Sequence, residues 1–118
     1  MRISDSEMEV MRIIWDASGE VTTSYILERL ETQRKTTTVL TFLKRLTDKG
    51  IISTRKEGKA NFYAPLISEE DYKKMQTEEF LQEMHSGSLS SFFAALYGDG
   101  HPDKEDMDEI REWFENID

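Results

Sequence analysis

Apolar residues recur at three- and four-residue intervals along most of this chain, which is the spacing of helices that bury one face. Helix-start signals support the pattern, because Ser4 and Glu7 form a capping box and Ser68 is followed by acids in the first turn. Together these features predict six helices, at about 4–15, 22–30, 34–48, 68–85, 89–97 and 103–117.

Between the third and fourth predicted helices the helical spacing stops. Gly50 suits the left-handed conformation that closes a helix. Residues 51–56 and 61–64 are then predicted to form a β-hairpin, which Pro65 ends. Val21 is expected to add a short strand beside this hairpin. Helices with a short turn between the second and third, followed by a hairpin, have the layout of a winged helix-turn-helix.

These elements predict a mainly α-helical protein with a small β-hairpin wing. We expect residues 1–66 to form a winged-helix DNA-binding domain and residues 67–118 to form a three-helix dimerisation region. The last three helices carry more apolar surface than a tail needs, so they are expected to pack against a second chain. Packing back onto the winged domain is the alternative.

Composition narrows the class of protein. The chain has no cysteine, which excludes disulfides, thiolate metal sites and a catalytic thiol, and which fits a reducing cytoplasm. The longest apolar run, Phe92 to Tyr97, is far shorter than the roughly 20 residues of a membrane span. We therefore expect a cytoplasmic protein with no membrane insertion and no cofactor.

The net charge of −9 conceals a strong asymmetry. Residues 1–66 carry a net charge of +2 and residues 67–118 a net charge of −11, while the segment 34–59 carries +6. Salt screening confines phosphate attraction to about 10 Å. The basic segment can therefore bind DNA although the whole chain is acidic.

The third predicted helix has two contrasting faces. Val39, Phe42, Leu43 and Leu46 share the inward arc, and the opposite arc carries small hydroxyls beside long cations. Threonine can contact a base edge or a thymine methyl, and cations neutralise phosphates. A solvated, salt-bridged face is the alternative, but no acid occurs from Thr36 to Thr47. With the hairpin cations included, the predicted DNA contacts are Lys35, Thr36, Thr37, Thr38, Leu40, Thr41, Lys44, Arg45, Arg55, Lys56 and Lys59.

The second half of the chain supplies the predicted dimer contacts, which are large apolar side chains on the last three helices. They are Tyr72, Leu81, Leu89, Phe92, Phe93, Leu96, Ile110, Trp113 and Phe114. His85 and His101 each have acids nearby, but lone histidines beside acids are ordinary, so no metal site is predicted. The acids of the sixth helix lie opposite its apolar stripe, and no glycine-rich phosphate loop is present, so an enzyme is not expected.

Four segments of the chain resemble the bacterial penicillinase-repressor family, which includes β-lactamase, methicillin-resistance and copper-responsive repressors. They are ISDSEMEVMRIIWD, TTTVLTFLKRLTDKG, IISTRKEGKANFYAPL and SGSLSSFFAAL. The resemblance extends from Ile3 to about Phe114. It implies a homodimeric transcriptional repressor that binds a palindromic operator through the third helix and the wing, with contacts at positions matching Thr37, Thr38, Leu40 and Thr41.

Three departures from the family pattern bear on the operator and the signal. Relatives often have a long polar residue where this chain has Leu40. The copper-responsive members have a Cys-x-Cys cluster that this chain lacks. The β-lactam members are released when a membrane sensor triggers cleavage at an Asn-Phe bond, and the matching bond here is Ala95-Leu96. A sensor protease system is therefore one partner that the resemblance suggests.

Two hypotheses of function follow. In the first, the chain is a dimeric operator-binding repressor that is released by a signal acting on its C-terminal helices. In the second, the chain is a winged-helix protein–protein interaction module whose acidic half binds a basic partner. The two differ in the dependence of DNA affinity on salt, because only phosphate contacts make that dependence steep.

Overall fold

The computed structural model describes residues 2–98 and 100–117, and it confirms the predicted mainly helical architecture with one antiparallel hairpin. In chain order its elements are α1 (Asp5–Asp16), α2 (Thr23–Arg29), α3 (Thr36–Asp48), β1 (Ile52–Glu57), β2 (Ala60–Pro65), α4 (Glu69–His85), α5 (Leu89–Tyr97) and α6 (Lys104–Glu115).

Local side-chain hydrogen bonds explain where several helices begin. At the start of α1, Ser4 Oγ accepts from the backbone N–H of Glu7 at 3.1 Å, and Glu7 Oε1 accepts from the N–H of Ser4 at 3.2 Å. Thr22 caps α2 and Ser68 accepts from the N–H of Asp71 in the same manner. These bonds satisfy N–H groups that have no partner within the helix.

The hairpin is short and extends by one bridge. Strands β1 and β2 pair antiparallel from Ile52 opposite Pro65 to Glu57 opposite Ala60, and Gly58 supplies the positive φ of 62° in the turn. The predicted pairing of Val21 is confirmed, because its backbone exchanges two hydrogen bonds with Tyr63, at 3.0 and 2.8 Å. The hairpin is thereby tied to the segment between α1 and α2.

One apolar core joins α1, α2, α3, the hairpin and the beginning of α4. Within the helices, the fully buried side chains of this core recur every three or four residues, as the sequence pattern predicts. The largest of them are Met11, Ile14, Ile26, Leu43, Leu46 and Ile52. Each contributes roughly 1.5–3 kcal/mol by burial, so this core holds α3 firmly against α1 and α2.

The chain divides into two compact units between Gln76 and Thr77, within α4. Tyr72 belongs to the first unit and is only 5% exposed. Its hydroxyl accepts from the backbone N–H of Ile3 at 3.1 Å, and its ring lies 5.6 Å from the ring of Trp15. The sequence predicts Tyr72 as a dimer contact, but the structure buries it in the core of its own unit, because α4 begins against α1. Tyr72 is therefore not on a surface open to a second chain.

The second unit consists of the rest of α4 with α5 and α6, and its described residues form no buried core. No residue of α5 or α6 is buried. Aromatic rings meet edge to face within the unit, as Phe92 does with Phe80 and with Phe93. Several large apolar side chains remain more than half exposed, namely Met84, Leu89, Leu96, Trp113 and Phe114. Among the described residues no helix combines the length and the apolar character of a membrane span.

Candidate nucleic-acid interface

Helix α3 presents an apolar face to the core and a polar face to solvent. Val39, Leu43 and Leu46 are almost completely buried, and Phe42 is 8% exposed. All the predicted DNA-contact side chains on the other face are exposed except Thr38, which is half-buried. The core therefore fixes the rotation of α3 about its axis, and that rotation decides which side chains DNA can reach.

Ion pairs to α1 hold both ends of α3. Arg34, just before the helix, approaches Glu9 Oε1 with Nη2 at 3.4 Å. Lys49, just after it, places Nζ at 3.0 and 3.1 Å from the two carboxylate oxygens of Glu7 and donates to the carbonyl of Arg2 at 3.0 Å. Since Glu7 and Glu9 are two residues apart on one rigid helix, the two pairs together restrict the position of α3 along its axis.

The Glu7–Lys49 pair is the more buried of the two pairs. The Glu7 side chain is 3% exposed and the Lys49 side chain is 32% exposed. Burial opposes ionisation of Glu7, but hydrogen bonds from Lys49 and Ser4 outweigh it, so the pKa of Glu7 lies below its ordinary value of 4.5. Glu7 is therefore a carboxylate at neutral pH, and it supplies the negative charge that Lys49 needs.

Threonines line the exposed face of the first two turns of α3. Lys35 is the N-cap residue and makes no side-chain cap bond, so the first N–H groups of the helix are free of a capping side chain. Thr41 Oγ1 donates to the carbonyl of Thr37 at 3.0 Å. The hydroxyl of Thr41 therefore uses its proton within the helix and offers lone pairs and a methyl group to a ligand.

The cations of the polar face differ in their partners. Lys44 pairs with Asp48 one turn later at 3.0 Å, but both side chains are well exposed, at 76% and 64%. Within residues 2–98 and 100–117, Lys35, Arg45, Lys56 and Lys59 take part in no ion pair. These four cations are available to a phosphate without first losing a partner.

Arg55 is placed differently from the other wing cations. Its guanidinium donates to both carboxylate oxygens of Glu20, at 2.9 and 3.1 Å, and to Glu57 at 2.8 Å, and it lies 4.7 Å from the centre of the Phe62 ring. The hydrogen bond from Arg55 lowers the pKa of Glu20, and the two acids raise the pKa of Arg55. The sequence predicts Arg55 as a phosphate contact. In the structure its guanidinium pairs with Glu20 instead, and this pair ties the wing to the segment between α1 and α2.

A side-chain hydrogen bond links α3 directly to the wing. Thr47 Oγ1 and Thr54 Oγ1 are 2.7 Å apart, and Thr47 Oγ1 also donates to the carbonyl of Leu43 at 2.8 Å. The wing strand β1 is thus held beside the last turn of α3. A duplex that received α3 in its major groove would meet the wing on the neighbouring backbone.

The two histidines have ordinary surroundings. His85 Nδ1 lies 2.8 Å from Ser91 Oγ, and His101 Nδ1 lies 3.0 Å from the carbonyl of Pro102. In the part of the chain that the structure describes, no group of three or more His, Asp or Glu side chains is arranged to hold a metal ion.

Sequence reasoning missed the roles of Glu7, Glu20 and Lys49 in holding the interface. Glu7 carries a visible capping signal, but nothing in the sequence indicates that its carboxylate also meets Lys49, 42 residues away. The pairing of Glu20 with Arg55 spans 35 residues and is equally invisible to local patterns.

The three-helix core, the two-stranded wing and the exposed helix face without an acid from Thr36 to Thr47 define a winged helix-turn-helix DNA-binding protein. Comparison with known proteins agrees with this class. The model of the penicillinase repressor family matches residues 3–116. The chain is 33% identical to the penicillinase repressor of Bacillus licheniformis over 115 residues, which are 97% of this chain and 90% of that protein.

Two further similarities support the assignment. The methicillin resistance regulatory protein MecI of Staphylococcus aureus (strain N315) is 32% identical over 93% of this chain and 88% of its own length. The solution structure of the DNA-binding domain of the repressor BlaI superposes with a TM-score of 0.54 and 38% identity, covering 60% of this chain and 88% of that domain. The chain therefore belongs to the penicillinase repressor family, a family of transcriptional repressors and not of enzymes.

Proposed function

We propose that this chain is a homodimeric repressor that binds a palindromic operator through α3 and the wing. The observation that carries the proposal is the exposed face of α3, which carries no acid from Thr36 to Thr47, with free cations at Lys35 and Arg45 and, on the wing, at Lys56 and Lys59. Cations of this kind bind phosphates and fix the register of the protein on the duplex, while the threonines between them face base edges.

The dimer is proposed from the second unit. Many of its large apolar side chains, among them Leu89, Leu96 and Trp113, are exposed in the single chain, and neither α5 nor α6 has a buried residue. Exposed apolar surface of this extent is typical of an interface between subunits. The proposed contacts lie on its three helices: Leu81, Leu89, Phe92, Phe93, Leu96, Ile110, Trp113 and Phe114. Residues 67–76, although part of the proposed dimerisation region, belong to the first compact unit.

Two identical chains related by a two-fold axis read a two-fold symmetric operator. Each α3 would take one half-site, so the separation of the half-sites follows from the dimer geometry. The acidic second half, with a net charge of −11, repels DNA and would weaken non-specific binding more than specific binding.

Release is proposed to act on the second unit. The bond Ala95-Leu96, which matches the cleavage site of β-lactam-responsive relatives, lies near the end of α5, and Leu96 is 59% exposed. Cleavage there by a protease that a membrane sensor activates would detach α6 and part of the proposed dimer surface. A chain that ends at Ala95 is expected to bind the operator at least tenfold more weakly than the full chain, and equal affinity would refute this route.

The test of the proposed function is a titration of the full chain against its own upstream DNA and against a scrambled duplex of equal length, followed by fluorescence anisotropy at several salt concentrations. Tighter binding to the upstream DNA, with two chains per duplex, is the expected result. The logarithm of the binding constant should fall by about 0.9 per neutralised phosphate for each tenfold rise in salt. Weak and equal binding to both duplexes would favour the protein-interaction module instead.

A further inference from the structure

We infer that this repressor recognises thymine methyl groups in the major groove, and that Leu40 is the side chain that reads them. This inference rests on the proposed function, since it names the chemistry by which α3 distinguishes one duplex from another. Three features of α3 support it. Leu40 is exposed, the hydroxyl of Thr41 already donates a hydrogen bond within the helix, and the first two turns carry no Arg, Lys, Asn or Gln.

Leu40 is exposed at 40% although it lies on a helix whose other large apolar residues are buried. Its neighbours on the helix surface, three and four residues away on the outer side, are Thr36, Thr37 and Lys44. The leucine is therefore a single apolar contact set among small hydroxyls and a cation. On a DNA-facing surface such a side chain gains free energy only where the base edge is apolar as well.

Thymine presents the only methyl group in the major groove. The side chains of Thr37 and Thr41 are short, so they do not hold the helix away from the base edges, and their own methyl groups extend the apolar strip beside Leu40. Because the Thr41 hydroxyl donates to the Thr37 carbonyl, it can accept a hydrogen bond from adenine or cytosine but does not donate to guanine in this state.

Guanine is usually read by an Arg or Lys that donates to two acceptors, and adenine by an Asn or Gln. From Thr36 to Leu43 the helix carries none of these four residue types. Two long donors flank this segment: Lys35, which the proposed function assigns to phosphate, and Lys44, which pairs with Asp48 at 3.0 Å. Since the beginning of a recognition helix makes most of the base contacts, the direct readout in this chain depends on methyl and hydroxyl groups.

The experiment begins with selection of duplexes from a random pool by the full chain. Each thymine of the enriched duplex is then replaced singly by deoxyuridine, which removes only the 5-methyl group. At one or two thymines per half-site the affinity of the full chain should fall about fourfold (~0.8 kcal/mol), which is the burial of one methyl group. Replacement elsewhere should change little.

Leu40→Ala tests whether this side chain is the reader. In the variant, thymine and deoxyuridine at the sensitive position should bind equally, because the partner of the methyl group is gone. Leu66→Ala is the matched control, since it removes the same side chain from a position that is 62% exposed in the same unit but outside α3. It should keep the fourfold preference.

The outcomes separate the inference from the function on which it rests. If no sequence is enriched, the operator-binding function fails and the inference fails with it. If sequences are enriched but deoxyuridine binds as well as thymine at every position, the function stands and the thymine readout is wrong. If the preference persists in Leu40→Ala, thymine is read, but by another side chain, and the role of Leu40 is refuted.

Discussion

At the scale of single residues, burial separates two ion pairs of α3 that have the same length. The Lys49–Glu7 and Lys44–Asp48 pairs both measure 3.0 Å. The Lys44–Asp48 pair is open to solvent, where an ion pair contributes little to the free energy of unfolding. The Glu7 side chain is 3% exposed, so its carboxylate cannot be rehydrated if Lys49 is removed.

Lys49→Met should therefore lower the free energy of unfolding by about 2 kcal/mol, because it leaves a buried carboxylate without its cation. Lys44→Met, within α3, should change the free energy of unfolding by less than about 0.5 kcal/mol. Urea denaturation at neutral pH measures both changes. Equal effects of the two substitutions would mean that the Glu7 pair has no special weight.

The same pair predicts a dependence on pH. The pKa of Glu7 is lower in the folded chain than its ordinary value of 4.5, so the unfolded chain takes up the proton first as the pH falls. The contribution of Glu7 is complete above pH 4.5 and is lost as the pH falls through the folded pKa. In Glu7→Gln this part of the acid-induced loss of stability should be absent, which urea denaturation across the acid range would show.

Arg55 and Lys56 are neighbours on the wing and should behave differently toward DNA. Lys56→Gln removes a cation that has no acidic partner among the described residues, so the salt dependence of operator binding should become shallower by about 0.9 for each bound chain. Arg55→Gln removes a cation that Glu20 and Glu57 already hold, so the slope should stay the same. A shallower slope for Arg55→Gln would show that Arg55 leaves these acids for a phosphate when DNA binds.

At the scale of elements, the beginning of α4 belongs with the winged helix and not with the rest of α4. Tyr72 closes the core over Trp15, whose indole N–H donates to the carbonyl of Ile67 at 2.9 Å. The first compact unit ends at Gln76, which is ten residues beyond residue 66, the end of the winged-helix domain that the sequence predicts.

A fragment that ends at Gln76 is therefore expected to fold, whereas one that ends at Leu66 should be less stable by about 3 kcal/mol or more, because it loses a buried aromatic side chain. Thermal unfolding followed by circular dichroism measures the difference. A full-length Tyr72→Ala variant should lose a similar amount, which separates the effect of this side chain from that of chain length. If both fragments melt together, the contact of α4 with α1 contributes little.

At the scale of the whole molecule, the charge and the apolar surface are segregated along the chain. The segment 34–59 has a net charge of +6, and residues 67–118 have a net charge of −11 together with most of the exposed large apolar side chains. This segregation fits the proposed function, in which the basic segment binds phosphates and the exposed apolar side chains of the second unit bind a second chain.

Leu96→Glu should shift the full chain from dimer to monomer at micromolar concentration, because it places a charge in the proposed apolar interface. Leu66→Glu introduces the same charge at a position of similar exposure, 62% against 59%, but in the first unit, and it should leave the dimer intact. Sedimentation velocity distinguishes these outcomes. A dimer that survives Leu96→Glu would exclude α5 from the interface, and a monomeric unmodified chain would refute the dimer.

Much of the first unit could be predicted because its signals are local. The capping box at Ser4, the three- and four-residue apolar spacing of α3 and the glycine after it each depend on neighbours in the chain, and the structure confirms all three. The position of Tyr72 could not be predicted in this way. An apolar residue on an amphipathic helix looks the same whether it faces its own core or another chain, and only the packing of α4 against α1 decides between them.

Local sequence signals were sufficient to predict the order of helices and strands, the winged-helix class and the solvent-exposed face of α3, because periodicity, caps and turn residues act over a few positions. The tertiary structure alone decided the ionic partners of Lys49 and Arg55 and the burial of Tyr72. Those contacts join residues 42, 35 and 69 positions apart, and no local pattern specifies which distant charge or ring a side chain will meet. They form only when the shared core brings the elements together, and they then fix the positions of the exposed side chains of α3 and the wing.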